Sequence, residues 1–261
     1  MASASLPPPV APSLPAKPAP PPGRTGEFLD QGVVRRASLR AARWTLRGTA
    51  KVTGEVDVDT AVLAGIASVG GTITAGELRV DGSLAAIGDA SVTHRLAVDG
   101  DFQLRGALHA GDIDAKGTVR VGGGVDVDRA VVWRGSLEVG GALKASRVAG
   151  EGSIEVGGVL AAKEVDLALD RPSSVRSIAA ETVRVRLRRR PLRDPPFLEL
   201  ERIDADLVEL EGVHVEYLRA SQISAGAGCR IARFDGKVVR RHASARLGPS
   251  SISLRPHGLS R

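Results

Sequence analysis

The chain of 261 residues is 43% hydrophobic but only 3% aromatic, so its core must be built from small aliphatic side chains. A single cysteine excludes an intramolecular disulfide framework, and no continuous apolar stretch approaches the roughly 18 residues of a membrane-spanning helix. We therefore expect a soluble, cytoplasmic protein, and the net charge of +6 favours an anionic partner without identifying one.

The start of the chain is rich in proline and contains little that could form a core. It begins "MASASLPPPVAPSLPAKPAPPPG", in which the prolines prevent a regular ladder of backbone hydrogen bonds. The same stretch lacks the basic and then apolar layout of a secretory signal. The sequence predicts a disordered tail or spacer over residues 1–27.

A short motif recurs through the middle of the chain: an apolar residue, any residue, glycine, any residue and a second apolar residue. Most successive copies begin seventeen or eighteen positions apart, and two outlying intervals, one shorter and one longer, indicate copies on different sides of one coil. The copies begin at Val52, Val69, Val80, Val98, Val121, Val139 and Val156. A longer echo joins "GEVDVDTAV" at Gly54 to "GGVDVDRAV" at Gly123, and its spacing is close to four repeats of seventeen. Such self-similarity is typical of a stacked-repeat protein.

Within each repeat the apolar residues alternate, as Leu137 and Val139 do, which is the period of a strand. No repeat contains the ten or so residues of helical periodicity that ankyrin or tetratricopeptide units require. About seventeen or eighteen residues divide into three strands of roughly six, with glycines at the corners. The sequence therefore predicts an all-β fold, a triangular parallel β-solenoid over residues 28–236 whose coils stack about 4.8 Å apart.

The pattern changes after Val156 without stopping. Residues 188–197, "RRRPLRDPPF", contain three prolines that cannot lie in a central strand, so a basic protruding loop is predicted there. Beyond it apolar residues recur five apart and continue the solenoid; they are Ile203, Val208, Val213, Leu218 and Ile223. The last residues, 237–261, are polar and basic, which predicts a flexible tail.

The middle of the chain resembles the bactofilins, the polymer-forming cytoskeletal proteins of bacteria. The resemblance covers residues 48–236 and rests on "LAVDGDF", "SLEVGGALKASRVAGEGSIEVGGVLAAKEV" and "LELERIDADLVELEGVHVEYLRASQISAGAGCRIARFDG". It implies a right-handed parallel β-helix that polymerises end to end without nucleotide and scaffolds other proteins, often against the membrane. It also implies no cofactor and the chain itself as the main partner, with a membrane surface or envelope-associated proteins as further candidates. The core here is about twice the typical bactofilin length, which leaves the mode of assembly open.

The two ends of a solenoid are candidate polymer interfaces, because terminal strands lack a partner on one side. Ile231 and Phe234 lie in the last recognisable coil, and Phe28, Val33 and Val34 lie near the first. These five residues are the expected end-to-end contact. Two alternatives stay open: Phe234 plugs the core of a monomer, or the solenoid has capped ends and acts as an adaptor that binds a protein or an anionic surface.

A run of arginines, "VRVRLRRRPLR", is the sharpest charge feature of the sequence. Its guanidinium groups could bind lipid phosphates at the inner face of the cell membrane, each contributing about 1 kcal/mol near an anionic surface. The alternative is a solvated loop that keeps the solenoid soluble. Nucleic acid is disfavoured because no aromatic residues are interleaved. The residues concerned are Arg184, Arg186, Arg188, Arg189, Arg190 and Arg193.

An enzymatic function is not expected from this sequence. Hexapeptide acyltransferases, the nearest catalytic alternative, combine strict six-residue steps with a catalytic histidine. The steps here vary between five and six, and the histidines are scattered: His94, His109, His214, His242 and His257. We therefore expect no catalytic residues.

Paired carboxylates could bind Ca²⁺, but their alternation with valine is also typical of a solvated strand face, and no metal or cofactor is predicted. The pairs are Asp57/Asp59, Asp112/Asp114, Asp126/Asp128 and Asp204/Asp206. Trp44 and Trp133 are predicted to fill the core or its corners, and Cys229 is predicted to be buried and inert.

Overall fold

The computed structural model describes residues 26–188 and 197–250. These residues form fifteen strands and no helix, and every strand pairing is parallel. The strands wind into a β-solenoid of about 13 turns. The predicted all-β parallel solenoid is thus confirmed, whereas its right-handedness stays a prediction.

The strands are β1 (Glu27–Arg36), β2 (Leu39–Val52), β3 (Val56–Val69), β4 (Ile73–Ala86), β5 (Ala90–Leu104), β6 (Leu108–Val121), β7 (Val125–Val127), β8 (Ala130–Val139), β9 (Leu143–Lys144), β10 (Arg147–Leu169), β11 (Ser173–Leu187), β12 (Leu198–Leu210), β13 (Val213–Ala225), β14 (Arg230–Arg241) and β15 (Arg246–Leu247). Most of these strands bend through more than one side of the coil, because backbone pairing to the neighbouring coil continues around the corners.

Each coil points three pairs of side chains inward, and each pair belongs to one side of the solenoid. In the coil that begins at β2, two buried residues flank one outward-facing residue on each side of the coil, and the alternation is interrupted at each corner. We name the sides face 1 (Leu39 and Ala41), face 2 (Trp44 and Leu46) and face 3 (Ala50 and Val52), all of them buried. Equivalent residues stack coil upon coil, so the core consists of six continuous columns of mostly aliphatic side chains.

The strand register explains the irregular intervals of the sequence motif. Val80 and Val98 are direct partners in the column above Leu63, which belongs to face 2. The other copies of the motif lie on face 3, as the pairing of Val52 with Val69 shows. The two outlying intervals, from Val69 to Val80 and from Val98 to Val121, therefore mark steps from one face to another, as predicted.

The longer echo spans four coils, also as predicted. Its first buried valine, Val56, pairs with Ile73, and the same column then continues through Ala90 and Leu108 to Val125. These four steps cover the distance between the two copies.

A column of glycines turns the chain between faces 2 and 3. Gly82 has a φ of 152°, in the region that favours glycine, and a Cβ built there would lie 2.2 Å from the carbonyl oxygen of Gly65 in the coil below. Only a residue without a side chain lets the coils approach so closely at this corner. The column consists of Gly32, Gly48, Gly65, Gly82, Gly100, Gly117, Gly135 and Gly152.

The coils shorten toward the C-terminus. Ile203 pairs with Leu218, fifteen residues later, and Ile231 pairs with Leu247, sixteen residues later. The five-residue spacing in the sequence thus corresponds to one member of the inward pair on each face of a compact coil, as Val213 and its neighbour Val215 illustrate. All five residues with that spacing are buried, namely Ile203, Val208, Val213, Leu218 and Ile223.

The solenoid extends beyond the predicted boundary at Gly236. Strand β14 continues to Arg241 and β15 reaches Leu247, because parallel pairing to the preceding coil supplies the backbone hydrogen bonds while the charged side chains face solvent. The N-terminal boundary lies at Glu27, one residue before the predicted one. Residues 1–25, 189–196 and 251–261 lie outside the described residues, and with them the predicted Pro-rich tail, most of the basic loop and the end of the chain.

Candidate functional site

The first coil places an ion pair among the side chains that end the core. Asp30 occupies an inward position next to Leu46 in the following coil and is only 5% exposed. Its carboxylate accepts hydrogen bonds from Nε and Nη2 of Arg36, at 3.0 and 2.6 Å, and from Nε1 of Trp44, at 3.0 Å. The guanidinium of Arg36 also lies 4.7 Å from the centre of the Phe28 ring. The N-terminal end therefore has a polar cap.

The cap perturbs the ionisation of both charged residues. The hydrogen bonds from Arg36 hold the pKa of Asp30 below its usual range and outweigh the opposing effect of burial, and the bond from Trp44 lowers this pKa further. The same contact raises the pKa of Arg36. Both groups are therefore charged at neutral pH, and the guanidinium of Arg36, which is partly exposed, supplies the hydrogen bonds that the buried carboxylate of Asp30 needs.

The three residues predicted at the N-terminal interface lie in different environments. Phe28 is inward-facing and 37% exposed, with the guanidinium of Arg36 against it. Val34 is also inward-facing and half-buried. Val33 points outward and is 80% exposed. The structure thus places Phe28 and Val34 at the end of the core, whereas Val33 lies on the flank.

The C-terminal end is more apolar than the N-terminal one. Ile231 is buried because it lies between Val215 in the coil below and Leu247 above, so it is one layer inside the end. Phe234 pairs with Leu218 on one side and is only half-buried, with a single bridge to Ser250 on the other. Phe234 therefore lies at the end of the core, and its part in an end-to-end contact stays a prediction.

Strand β14 presents an open edge there. On its outer side it pairs with β15 at Arg230 and Ile231 and with Ser250 at Phe234. Residues 235–241 have no outer strand partner among the residues that the structure describes. Their N–H and C=O groups, together with the half-buried side chains of Phe234, Val238 and Leu247, form an open end.

Three arginines of the predicted anionic-surface site are engaged in ion pairs on the flank of the solenoid. Arg184 lies between Glu164, at 3.7 Å, and Glu209, at 3.4 Å. Arg186 binds Asp166 at 2.7 Å and Arg188 binds Glu151 at 2.6 Å. The other three predicted residues, Arg189, Arg190 and Arg193, lie outside the described part of the chain. The arginine run alone does not reveal these acids, because they belong to other coils: Glu151 lies two coils from Arg188, and the others lie on neighbouring coils.

A second group of cations lies on the last coil, and the sequence predicts two of them, Arg230 and Arg233, in the solenoid and the other four in the tail. The structure places these residues on β14 and β15, all solvent-exposed, and none of them forms an ion pair with another described residue. We call them the terminal basic rim: Arg230, Arg233, Lys237, Arg240, Arg241 and Arg246. The run "KVVRRH" was the available signal, but its continuation as a strand required the register to the preceding coil.

The paired carboxylates are part of the solvated flank. Asp112 accepts hydrogen bonds from Arg129, and Asp114 binds Arg95 at 2.5 Å. The Arg129 contact, with help from the N–H of Ala130, lowers the pKa of Asp112. Within residues 26–188 and 197–250, no three His, Cys, Asp or Glu side chains are placed to hold a metal ion together.

A shallow groove of about 940 Å³ runs over face 3 of the last coils. Its walls include Glu199, Glu216, Arg230 and Arg246, so its charge is mixed. His214, one of the lining residues, stacks on the ring of Phe197 with 5.3 Å between centroids. Burial and, to a smaller extent, Arg230 lower the pKa of this imidazole.

The remaining sequence-predicted residues lie mainly in the core. Trp44 and Trp133 are almost fully buried, as predicted. Cys229 is also buried, which raises the pKa of its thiol, and its Sγ lies 3.3 Å from the carbonyl oxygen of Leu210. Of the histidines, His94, His109 and His214 lie on different coils.

Comparison with known proteins adds no family assignment. Searches of family models, of curated proteins and of solved structures return no match to this chain. Among the described residues, no helix is long and apolar enough to cross a membrane.

Proposed function

We propose that this chain is a structural protein of the bactofilin type, which self-associates end to end without nucleotide and scaffolds other proteins near the membrane. The observation that carries the proposal is the open C-terminal end. There the core finishes in half-buried apolar side chains beside an edge strand that has no outer partner over residues 235–241 among the described residues. A second solenoid end can both bury these side chains and pair with this edge.

The length and regularity of the rod support the same role. All described strands belong to one continuous sheet, and each coil contacts chiefly its neighbours. Such a rod offers long flanks on which client proteins can bind, while its ends remain available for association. The flanks are rich in ion pairs between neighbouring coils, such as Arg120 with Glu138 and Arg95 with Asp114.

The polar cap at the other end supports a second candidate function. The pair of Asp30 and Arg36 replaces two inward apolar side chains at this end, as expected of a solenoid that limits end-to-end contact, although Phe28 stays partly exposed beside it. A capped adaptor, monomeric or in small oligomers joined only through the C-terminal end, is therefore the alternative. The two functions differ in the size of the assembly.

Sedimentation velocity and negative-stain electron microscopy of the purified chain without nucleotide distinguish them. We expect extended filaments that Phe234→Arg abolishes, because a buried unpaired guanidinium opposes the contact. Val132→Arg is the matched control, since Val132 is a 43%-exposed flank residue far from either end. Discrete dimers that Phe234→Arg dissociates would favour the adaptor. Monomers at every salt concentration would contradict both forms of self-association.

A further inference from the structure

The distribution of charge over the solenoid is uneven, and the excess of positive charge lies at its ends. On the flanks, arginines pair with acids of their own or neighbouring coils, as in Arg79 with Asp81 and Arg147 with Glu164. The terminal basic rim has six exposed cations over residues 230–246, and Asp235 is the one acidic residue in that range. No rim residue forms an ion pair with another described residue.

The rim also places like charges next to each other. Arg230 and Arg246 are direct register partners on face 3, so their backbones lie about 4.8 Å apart. Like charges directly opposite in a sheet destabilise the pairing. Arg230 and Arg246 both line the groove on face 3, where an oxyanion could contact them together, although glutamates also line its walls.

The opposite end of the solenoid is positive as well. Around the polar cap lie four exposed cations that form no ion pair with any described residue: Arg35, Arg43, Arg47 and Lys51. Both ends thus carry more cations than acids, although Glu27 lies opposite Arg43 and Asp235 lies within the rim, so every end-to-end arrangement brings two net positive ends together. This repulsion acts over roughly a Debye length, about 8 Å at physiological ionic strength, and opposes the apolar contact at Phe234.

We propose that the terminal basic rim binds a multivalent oxyanion of the phosphate class, and that this anion bridges solenoid ends and promotes their association. Guanidinium groups bind such anions through paired hydrogen bonds, and one polyvalent anion can contact cations of both ends. Monovalent salt only screens the repulsion, whereas a polyvalent anion replaces it with attraction. The inference rests on the proposed self-association and names its chemical regulator.

Binding to the rim is tested on the Phe234→Arg variant, so that association does not contribute. Isothermal titration calorimetry with sodium tripolyphosphate is expected to give saturable binding. Four further substitutions in the rim should weaken the affinity for tripolyphosphate about tenfold or more: Arg230→Gln, Arg233→Gln, Lys237→Gln and Arg246→Gln. The matched control removes four cations from the middle coils: Arg105→Gln, Lys116→Gln, Lys144→Gln and Lys163→Gln. Equal loss in both quadruple variants would overturn the proposal, because it would indicate an effect of net charge alone.

Promotion of association is tested on the otherwise unchanged chain by light scattering, in tripolyphosphate and in sodium chloride at equal ionic strength. In tripolyphosphate we expect association to begin at a protein concentration at least about fivefold lower than in sodium chloride. The variant with four rim cations replaced by glutamine should lose this difference between the two salts. Equal association in the two salts would overturn the proposal and leave the proposed function standing. A wrong assignment of the Phe234 contact would give a different result: Phe234→Arg would then leave association unchanged in both salts.

Discussion

Gly150 stacks directly on Trp133 in the face 2 column, and a Cβ built on the glycine would lie 2.2 Å from the indole ring. The indole ring lies against the bare Cα of this glycine, and its Nε1 donates a hydrogen bond to the carbonyl oxygen of Ser153 at 3.3 Å. The largest residue type in the core and the smallest are thus adjacent, which keeps the packing dense.

Gly150→Ala is expected to lower the free energy of unfolding by about 1–3 kcal/mol, because the added methyl group overpacks the column. Urea denaturation of the two proteins measures the difference. Gly124→Ala is the control: its Cβ would have no neighbour closer than 3.4 Å, so its stability should be unchanged or slightly raised. A Gly150→Ala variant as stable as this control would show that the ring moves aside freely.

Two corner glycines allow the cost of an unfavourable backbone conformation to be measured apart from the cost of a clash with the neighbouring coil. Gly32 has a φ of 75° and no heavy atom within 4 Å of a built Cβ, so Gly32→Ala should cost about 1 kcal/mol for the unfavourable conformation alone. Gly82→Ala adds a clash with the backbone of Gly65 and should cost about 3 kcal/mol. Thermal unfolding compares the variants. Equal shifts in melting temperature would exclude the close approach as the larger effect.

The polar cap predicts a specific dependence of stability on pH. The pKa of Asp30 is lowered in the folded chain, so its contribution is fully present above the unfolded value of about 3.9 and is lost as pH falls through the folded value. The difference in unfolding free energy between the unchanged chain and Asp30→Asn should therefore be largest above about pH 5 and shrink toward pH 2.

Arg36→Met provides the complementary measurement, because it leaves the buried carboxylate without its principal partner. At pH 7 it should destabilise the chain by about 1–3 kcal/mol, and this loss should decrease as acid protonates Asp30. A difference that stays constant between pH 7 and pH 2, for either variant, would be inconsistent with an ionised pair in the cap.

The arginine run can be divided by its ion pairs. Each exposed pair on the flank contributes little to stability, about 0–1 kcal/mol, but it lowers the positive charge available to a membrane. Sedimentation with vesicles of anionic and neutral phospholipid should therefore show a larger loss of binding for Arg189→Gln/Arg190→Gln/Arg193→Gln than for Arg184→Gln/Arg186→Gln/Arg188→Gln. The reverse order would indicate that the ion pairs open at the lipid surface.

Sequence periodicity predicted most of the fold, because each coil repeats the same requirement for inward apolar residues. The irregular intervals on either side of Val80 and Val98 were enough to predict that these two copies of the motif lie on a different face from the other copies. Asp30 could not be predicted as a core-terminating residue, since its partners become neighbours only when coils stack and place Trp44 above it. The strand after Gly236 was missed because its charged side chains conceal pairing that depends on the backbone.

The residues at the C-terminal end of the core could be predicted only in part, because their neighbours in space belong to other coils. Phe234 stands out as an aromatic residue near the end of the repeats, and the structure places it at the end of the core. Ile231 seemed equivalent but is covered by β15, whose two residues carry no recognisable repeat. The ion pairs of Arg184 and Arg186 link positions separated by whole coils, so local inspection of the run missed them.

The continuous register between coils also fixes the distance between the two ends of the solenoid. Between eleven and twelve coil spacings of about 4.8 Å separate the cap at Asp30 from the open end at Phe234, which places them about 55 Å apart. Adding or deleting one coil would change that separation by a fixed increment while leaving both termini chemically the same. Proteins bound at different coils would thus be held at intervals counted in whole turns, in an order fixed by the sequence.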